Sequence, residues 1–553
     1  MEIFVKRICN YSLSFVLAVI LALPMVSADE GHGSEASAPL ILGVLDFPNS
    51  GAEAAQEVFE RGVMLLHSFE FSDSRVAFLE AQEIDPEFAM AIWGEAMTLN
   101  HPLWEQQDRD TALEILSKMP PQGQRNTTER EERYISAVDV LYGEGSKNVR
   151  DVAYRDAMRQ IYEDYPDDLE AAAFYALSIL GSVYERDFRT YMLAASIAEE
   201  VFARQPQHPG AAHYLIHSYD DQIHAPLGLR AARAYTKIAP AAAHAQHMVS
   251  HIYTSLGMWD EVIAANITAV QVSEDSMRRM GRPVANRNKH SLHWLEYALL
   301  QQGRLGEARD TLQIMKDDVT AMPVLYQKRH SAMMRASYAV ADPLGEYILM
   351  PVDPSDMALD HRAVDIFATA FIMIASGDLD EAQAELNVLQ EQIDSAKVLT
   401  VEEGLHEDDS ATSEDAYLLA TIIAREIESL LQFHAGDFGA AVNVLETAVA
   451  DESTRPLYYG PPHVPKPSSE LMGEMLLALG RPADAIPHFE QSLARNTSRT
   501  MSLLGLARAQ EAVGDAAATE TWQKIETIWR GDTATLRAMQ YSWLSAVNTM
   551  ATH

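Results

Sequence analysis

The sequence predicts an all-α chain, a solenoid of antiparallel helix pairs stacked one after another. Three observations predict it. Alanine, leucine, glutamate and glutamine recur with helical period, and no run alternates apolar and polar residues as a half-buried strand would. The segment from Arg61 to Pro86 sets a small residue, an apolar one, an aromatic, an alanine and a proline (Gly62, Leu65, Phe78, Ala81, Pro86) at the offsets of a repeat of about 34 residues. A glycine followed five residues later by alanine then recurs at Gly303 and Ala308, Gly377 and Ala382, Gly436 and Ala441, and Gly480 and Ala485. In each case the glycine frees the backbone for a tight turn and the alanine lets the neighbouring helix approach; in the 61–86 unit Pro86 ends the second helix.

Taken in order, the chain opens with Lys6 and Arg7, an apolar run from Tyr11 to Val26, and the small residues Ser27 and Ala28. That order predicts a secretory signal peptide over 1–28, cleaved after Ala28, and a periplasmic or secreted protein. The only cysteine, Cys9, falls inside it, so the exported chain would have neither disulfides nor thiolate ligands. No later stretch is apolar enough for stable membrane insertion. Residues 29–50 are expected to be a flexible terminus, 51–118 the N-terminal helix pairs, and 119–209 further pairs entered through Met119-Pro120-Pro121-Gln122-Gly123. The central repeats, 210–320, hold most of the histidine pattern. More repeats follow over 321–455, interrupted by an irregular stretch at 347–360 and a solvated acidic connection at Glu402, Glu403 and Glu407 to Asp409. A proline-rich loop occupies 456–469 and the last repeats run over 470–553.

Composition narrows the function. The chain has 42 basic and 80 acidic side chains, a net charge of −38, which repels phosphate backbones and excludes nucleic acid as a partner. Apolar residues make up 48%, too many for a disordered acidic chain. No zincin motif, phosphate loop, dinucleotide fingerprint or hydrolase elbow stands in a supporting context.

Histidine is where the chemistry concentrates. His213 and His217, then His244, His247 and His251, then His290 and His293 fall in three short segments, seven of the nineteen in the chain. Separations of three and four residues put side chains above one another on one helical face. Neutral imidazoles suit copper, iron and zinc, and Asp220 and Asp221 follow the first pair as candidates to move protons beside a metal-bound water. Trp93, Trp104, Tyr219, Tyr253, Trp294 and Tyr297 are candidate pocket walls.

Over nearly its whole length the chain resembles the tetratricopeptide repeat family, as an exported member of bacterial type. The resemblance implies that the first helix of each pair lines a concave groove through repeat positions two, five, nine, twelve and thirteen. With the register set by Pro240, Gly257 and Gly303, those positions are taken by His213, His217, Asp220 and Asp221, then His244, His247 and His251, then His290 and His293. His67 and His101 fall at position thirteen of earlier units. His224 is a lesser candidate, while His208, His406, His434, His463 and His488 are expected to face solvent. The expectation is therefore one or more transition-metal ions of unassigned identity in the groove, serving an oxidoreductase or a hydrolase with a small-molecule or peptide ligand. The alternative implied by the family is a peptide- or protein-binding scaffold without catalysis.

Overall fold

The computed structural model describes residues 40–183, 186–344, 353–400, 411–457, 459–539 and 541–544, and the chain divides into two units, Met1–Leu40 and Ile41–His553. The predicted signal peptide, the acidic connection, His406 and the start of the 347–360 stretch lie outside the described residues. Within Ile41–His553 the described residues form 24 α-helices. Their order is α1 (Glu53–His67), α2 (Phe71–Ile84), α3 (Ala89–Met97), α4 (Arg109–Leu116), α5 (Glu129–Leu141), α6 (Lys147–Asp164), α7 (Leu169–Gly181) and α8 (Phe188–Arg204). Next come α9 (Pro209–Tyr219), α10 (Ala225–Ile238), α11 (Ala243–Ser255), α12 (Trp259–Arg279), α13 (Lys289–Gln301), α14 (Leu305–Ala321), α15 (Leu325–Ala341) and α16 (Leu359–Ser376). The last eight are α17 (Leu379–Ser395), α18 (Glu414–His434), α19 (Phe438–Thr454), α20 (Ser468–Ala478), α21 (Pro482–Arg495), α22 (Thr500–Val513), α23 (Ala518–Ile528) and α24 (Thr533–Ala538). The extended backbone consists of two small pairs, Asn100–His101 antiparallel to Gln106–Gln107 and Lys397–Val398 parallel to Ala411–Thr412.

Each helix packs mainly on its neighbours in sequence, as an all-α solenoid of antiparallel pairs requires. The packing rule read from Gly62 and Phe78 is visible in detail. A Cβ on Gly62 would come within 2.8 Å of the Phe78 ring, and one on Gly94 of the next first helix within 2.3 Å. The same wedge recurs at the other end, where Phe489 lies 2.7 Å from a Cβ on Gly473 and 2.2 Å from one on Gly505. An aromatic from the second helix of a pair therefore fills the gap between two first helices, and only glycine leaves room for it. The turn glycines 257, 303, 377, 436, 480 and 514 all have positive φ, which a side chain would strain.

Two features differ from the sequence expectation. Residues 41–50 are not a loose terminus: Leu42 and Phe47 are buried, Ala241 N–H donates to the Ile41 carbonyl, and Val44 N–H donates to the Gln207 carbonyl. Leu42, Leu45 and Phe47 turn inward while the backbone of the strip binds the α8–α9 and α10–α11 turns. The second difference is that the C-terminal helices return to the central ones. Thr500 N–H and Oγ1–H donate to the Gln301 side-chain and backbone oxygens, Trp259 Nε1–H donates to the Ser498 carbonyl, and Arg530 donates to Asp260. Arg499, wholly inside, binds Glu470 and Tyr297 Oη, and Lys466 spans Glu470 and Glu474.

Candidate metal centre

Helices α9, α11 and α13 are the first helices of three successive pairs, and they bring the predicted histidines together. His213 and His217 stand one turn apart on α9 with Nε2 atoms 3.0 Å apart, and His244 Nε2 from α11 lies 3.2 Å from His213 Nε2. The second group is alike. His247 and His251, again one turn apart on α11, have Nε2 atoms 3.1 Å apart, and the His290 ring from α13 has its centre 4.6 Å from that of His247. In each of these two triads one nitrogen per residue lies within 4.8 Å of the others. The triads adjoin, with ring centres 6.2 Å apart from His217 to His251 and 6.3 Å from His244 to His247.

What fixes the rings is on their far side. His213 Nδ1–H donates to the His67 carbonyl at 2.7 Å, His247 Nδ1–H to Asn266 Oδ1 at 2.7 Å, and His251 Nδ1–H to Asp220 Oδ2 at 2.6 Å. A backbone carbonyl and a carboxylate only accept. Asn266 uses its own N–H on the Val262 carbonyl, so its oxygen faces His247. The tautomers follow: Nδ1 carries the proton in all three rings, and each Nε2 turns a bare lone pair toward the centre.

In the second triad two such lone pairs therefore face one another across 3.1 Å. No hydrogen bond forms between two acceptors. Two nitrogens each ~2.0–2.1 Å from a shared cation subtend this separation at roughly 100°. Burial also keeps five of the six rings uncharged. It lowers the pKa of His213 to about 3 and holds those of His217, His244, His247 and His290 well below the ordinary value, with neighbouring imidazoles adding to the effect.

Apolar and aromatic groups close the surroundings. Phe69, at φ 54°, packs its ring 4.4 Å from His213 and 5.5 Å from His244. Trp294 stacks on His251 at 4.2 Å, and the ring of Tyr459 of the proline-rich segment lies 5.2 Å from His251. Gly460 lies so close to Trp294 that a Cβ there would be 2.3 Å from its ring, which seats the segment over the second triad. His244 and His290 alone of the six are not fully buried, and the ring of the exposed Trp104 lies 5.9 Å from that of His244.

The remaining predicted residues have other surroundings. His67 belongs to neither triad: its Nε2 donates to Glu170 at 2.7 Å, its Nδ1 accepts from Tyr214 Oη, and His208 Nε2 meets the other Glu170 oxygen at 3.0 Å. These three form a compact buried group of their own. His208 Nδ1 accepts from Ala211 N–H, so its Nε2 carries the proton, and every ring nitrogen there is already engaged. Burial would raise the Glu170 pKa, but the imidazoles more than offset it and hold the carboxyl ionised. His208 is thus fully buried, not solvent-facing, and His434, bonded to the Trp543 carbonyl, and His463 are also turned inward.

His101 stacks on Phe71 at 4.1 Å and bonds the Thr98 carbonyl, apart from both triads. Asp220 steers His251. Asp221 caps the loop before α10, accepting from Ile223 N–H, His224 N–H, His224 Nδ1–H and Arg186. Asp220 keeps its other oxygen, Oδ1, buried without a hydrogen-bond partner, whereas Asp221 is committed to the loop and Arg186. His293 is buried on α13 but belongs to neither triad. Sequence reasoning passed over His330, Glu170 and Asn266. A lone histidine and isolated polar residues on other helices carry no spacing signal.

No family model matches the chain, and no curated protein does. Among solved structures it is similar to the Cut9–Hcn1 hetero-tetramer of APC/C, at 12% identity over 84% of this chain and 78% of that one with a TM-score of 0.33. The human IFIT1 dimer with m7Gppp-AAAA gives 11% identity over 88% and 91%, with a TM-score of 0.33. Yeast Tom70 gives 11% over 85% and 92%, with a TM-score of 0.29. Likeness this slight leaves the function to be argued from the chain's own residues.

Proposed function

We propose that the chain is an exported metalloprotein that holds two transition-metal ions side by side, one on His213, His217 and His244 and one on His247, His251 and His290. The observation that carries this reading is the pair of unprotonated nitrogens of His247 and His251, fixed toward each other by Asn266 and Asp220. A cation is the partner that turns their repulsion into attraction.

Copper fits best. The triads offer neutral nitrogen alone, with neither carboxylate nor thiolate among the six ligands, and on nitrogen donors copper binds more tightly than its divalent neighbours. Three protein ligands leave a coordination position open on each ion, as catalytic rather than structural sites do. Two open copper positions within one buried chamber suit oxygen-dependent oxidation of a small molecule that enters beside His244, His290 and Trp104. In this reading Asp220, Asn266 and the His67 carbonyl are positioning groups, and Glu170 holds the His67 side chain at the end of α1, where that carbonyl is presented. The inner faces of α9, α11 and α13 are filled by the triads and their packing, which leaves these three helices little open surface for an extended peptide.

Metal analysis of full-length protein purified without a histidine tag and loaded with copper tests the reading. The expected result is loss of one ion in His247→Ala/His251→Ala and of a different one in His213→Ala/His217→Ala, each with the fold retained by circular dichroism. Unchanged copper content in both folded variants would overturn it.

A further inference from the structure

One buried imidazole in the central repeats has no task in either triad. His293 is 2% exposed, and its Nε2 is buried without a hydrogen-bond partner. Facing it is His330 of α15, whose Nδ1 is equally buried and unpartnered. Their ring centres are 5.6 Å apart. Within the triads the corresponding distances run from 4.6 Å, between His247 and His290, to 6.1 Å, between His251 and His290. The His293–His330 pair is therefore spaced as ligands of one ion are spaced elsewhere in this groove.

Leaving a buried polar nitrogen unsatisfied costs about 1–3 kcal/mol, and two orphans facing each other mark a place that something else completes. Packing does not explain them, because apolar side chains would fill the same volume without that cost. An anion is the wrong occupant. Burial lowers the His293 pKa to about 3 and that of His330 well below the ordinary value, so both rings are neutral donors of lone pairs. Three further groups bear on the spot electrostatically: His463, from the proline-rich segment, acts on His293, while His361, bonded to Asp360, and the Arg329 guanidinium act on His330. His330 lies 5.2 Å from His290, which puts the pair next to the second triad.

We propose that His293 and His330 form a third transition-metal site, distinct from the two triads, binding a nitrogen-preferring cation such as copper or zinc and leaving its other positions to water or a small ligand. It continues the row of imidazoles one helix pair further, from α13 to α15. It goes beyond the two-ion reading, and either can fail without the other.

The test is copper stoichiometry of metal-free, untagged, full-length protein after equilibrium dialysis against copper(II). His293→Ala/His330→Ala is expected to bind one equivalent fewer than wild type. Equal counts, or loss of more than one equivalent with the fold intact, would overturn a separate site. His247→Ala/His251→Ala in parallel reads the second triad independently. Should the double variant fail to fold, the milder His330→Gln carries the same prediction: one equivalent bound at least tenfold more weakly, with no change in affinity contradicting the proposal.

Discussion

A histidine becomes a dependable ligand when its second nitrogen is held, and in this chain the holders are a carbonyl, an amide and a carboxylate. Asn266 is the simplest to probe, because it is wholly buried and its two polar ends are both committed, one to His247 and one to the Val262 carbonyl. Asn266→Leu keeps the volume and removes the acceptor. His247 Nδ1–H then has no partner, the ring is free to change tautomer, and copper affinity at the second triad is expected to fall ~10–100-fold, while the first triad keeps its affinity. Competition against a chelator of known affinity measures it, and an unchanged constant would remove Asn266 from the argument. Residue types and spacing on α9, α11 and α13 were readable in advance, because three- and four-residue separations on a helix translate directly into a shared face. Partners such as Asn266 and Glu170 were not. They reach the histidines across helix–helix contacts, and nothing local in the sequence marks them.

At the scale of elements, the wedge of Phe78 between Gly62 and Gly94 explains why the first two pairs stack as closely as they do. Gly94→Ala puts a methyl group 2.3 Å from the ring, so Phe78 must shift or α3 must move away. The expected cost is about 1–3 kcal/mol of stability, seen as a lower midpoint of chemical unfolding. A neutral result would mean that the wedge has slack. The glycine and alanine offsets announced these pairs correctly, since each states a steric requirement that only small residues meet. The apolar strip at 41–50 was misread as flexible for the opposite reason: its packing faces, on turns near 207 and 241, are far away in sequence.

The whole molecule buries many imidazoles, and this makes the metal-free protein sensitive to acid. His213 and His293 have folded-state values lowered to about 3, and His463 to about 4, by burial first and neighbouring charges second. An unfolded histidine titrates near ~6.5. Their contribution is therefore complete above about pH 6.5 and is lost as pH falls toward 3, because the unfolded chain takes up protons that the folded one refuses. Each such imidazole steepens the loss by at most about 1.4 kcal/mol per pH unit. The melting temperature of metal-free protein is expected to drop steadily from pH 7 to pH 5, and a flat profile would contradict the burial described here. Return of the C-terminal helices onto Gln301, Trp259 and Asp260 was not legible in the repeats, because a repeat pattern specifies neighbours and says nothing about where the row ends up.

The central claim is that the two triads each hold an ion. Anomalous diffraction from crystals of the copper-loaded protein, collected on either side of the copper absorption edge, tests it most directly. The account predicts one peak ~2.0–2.1 Å from the Nε2 atoms of His213, His217 and His244, and a second at the same distance from ring nitrogens of His247, His251 and His290. A map with no peak at either triad, while the rings keep their present positions, would contradict it.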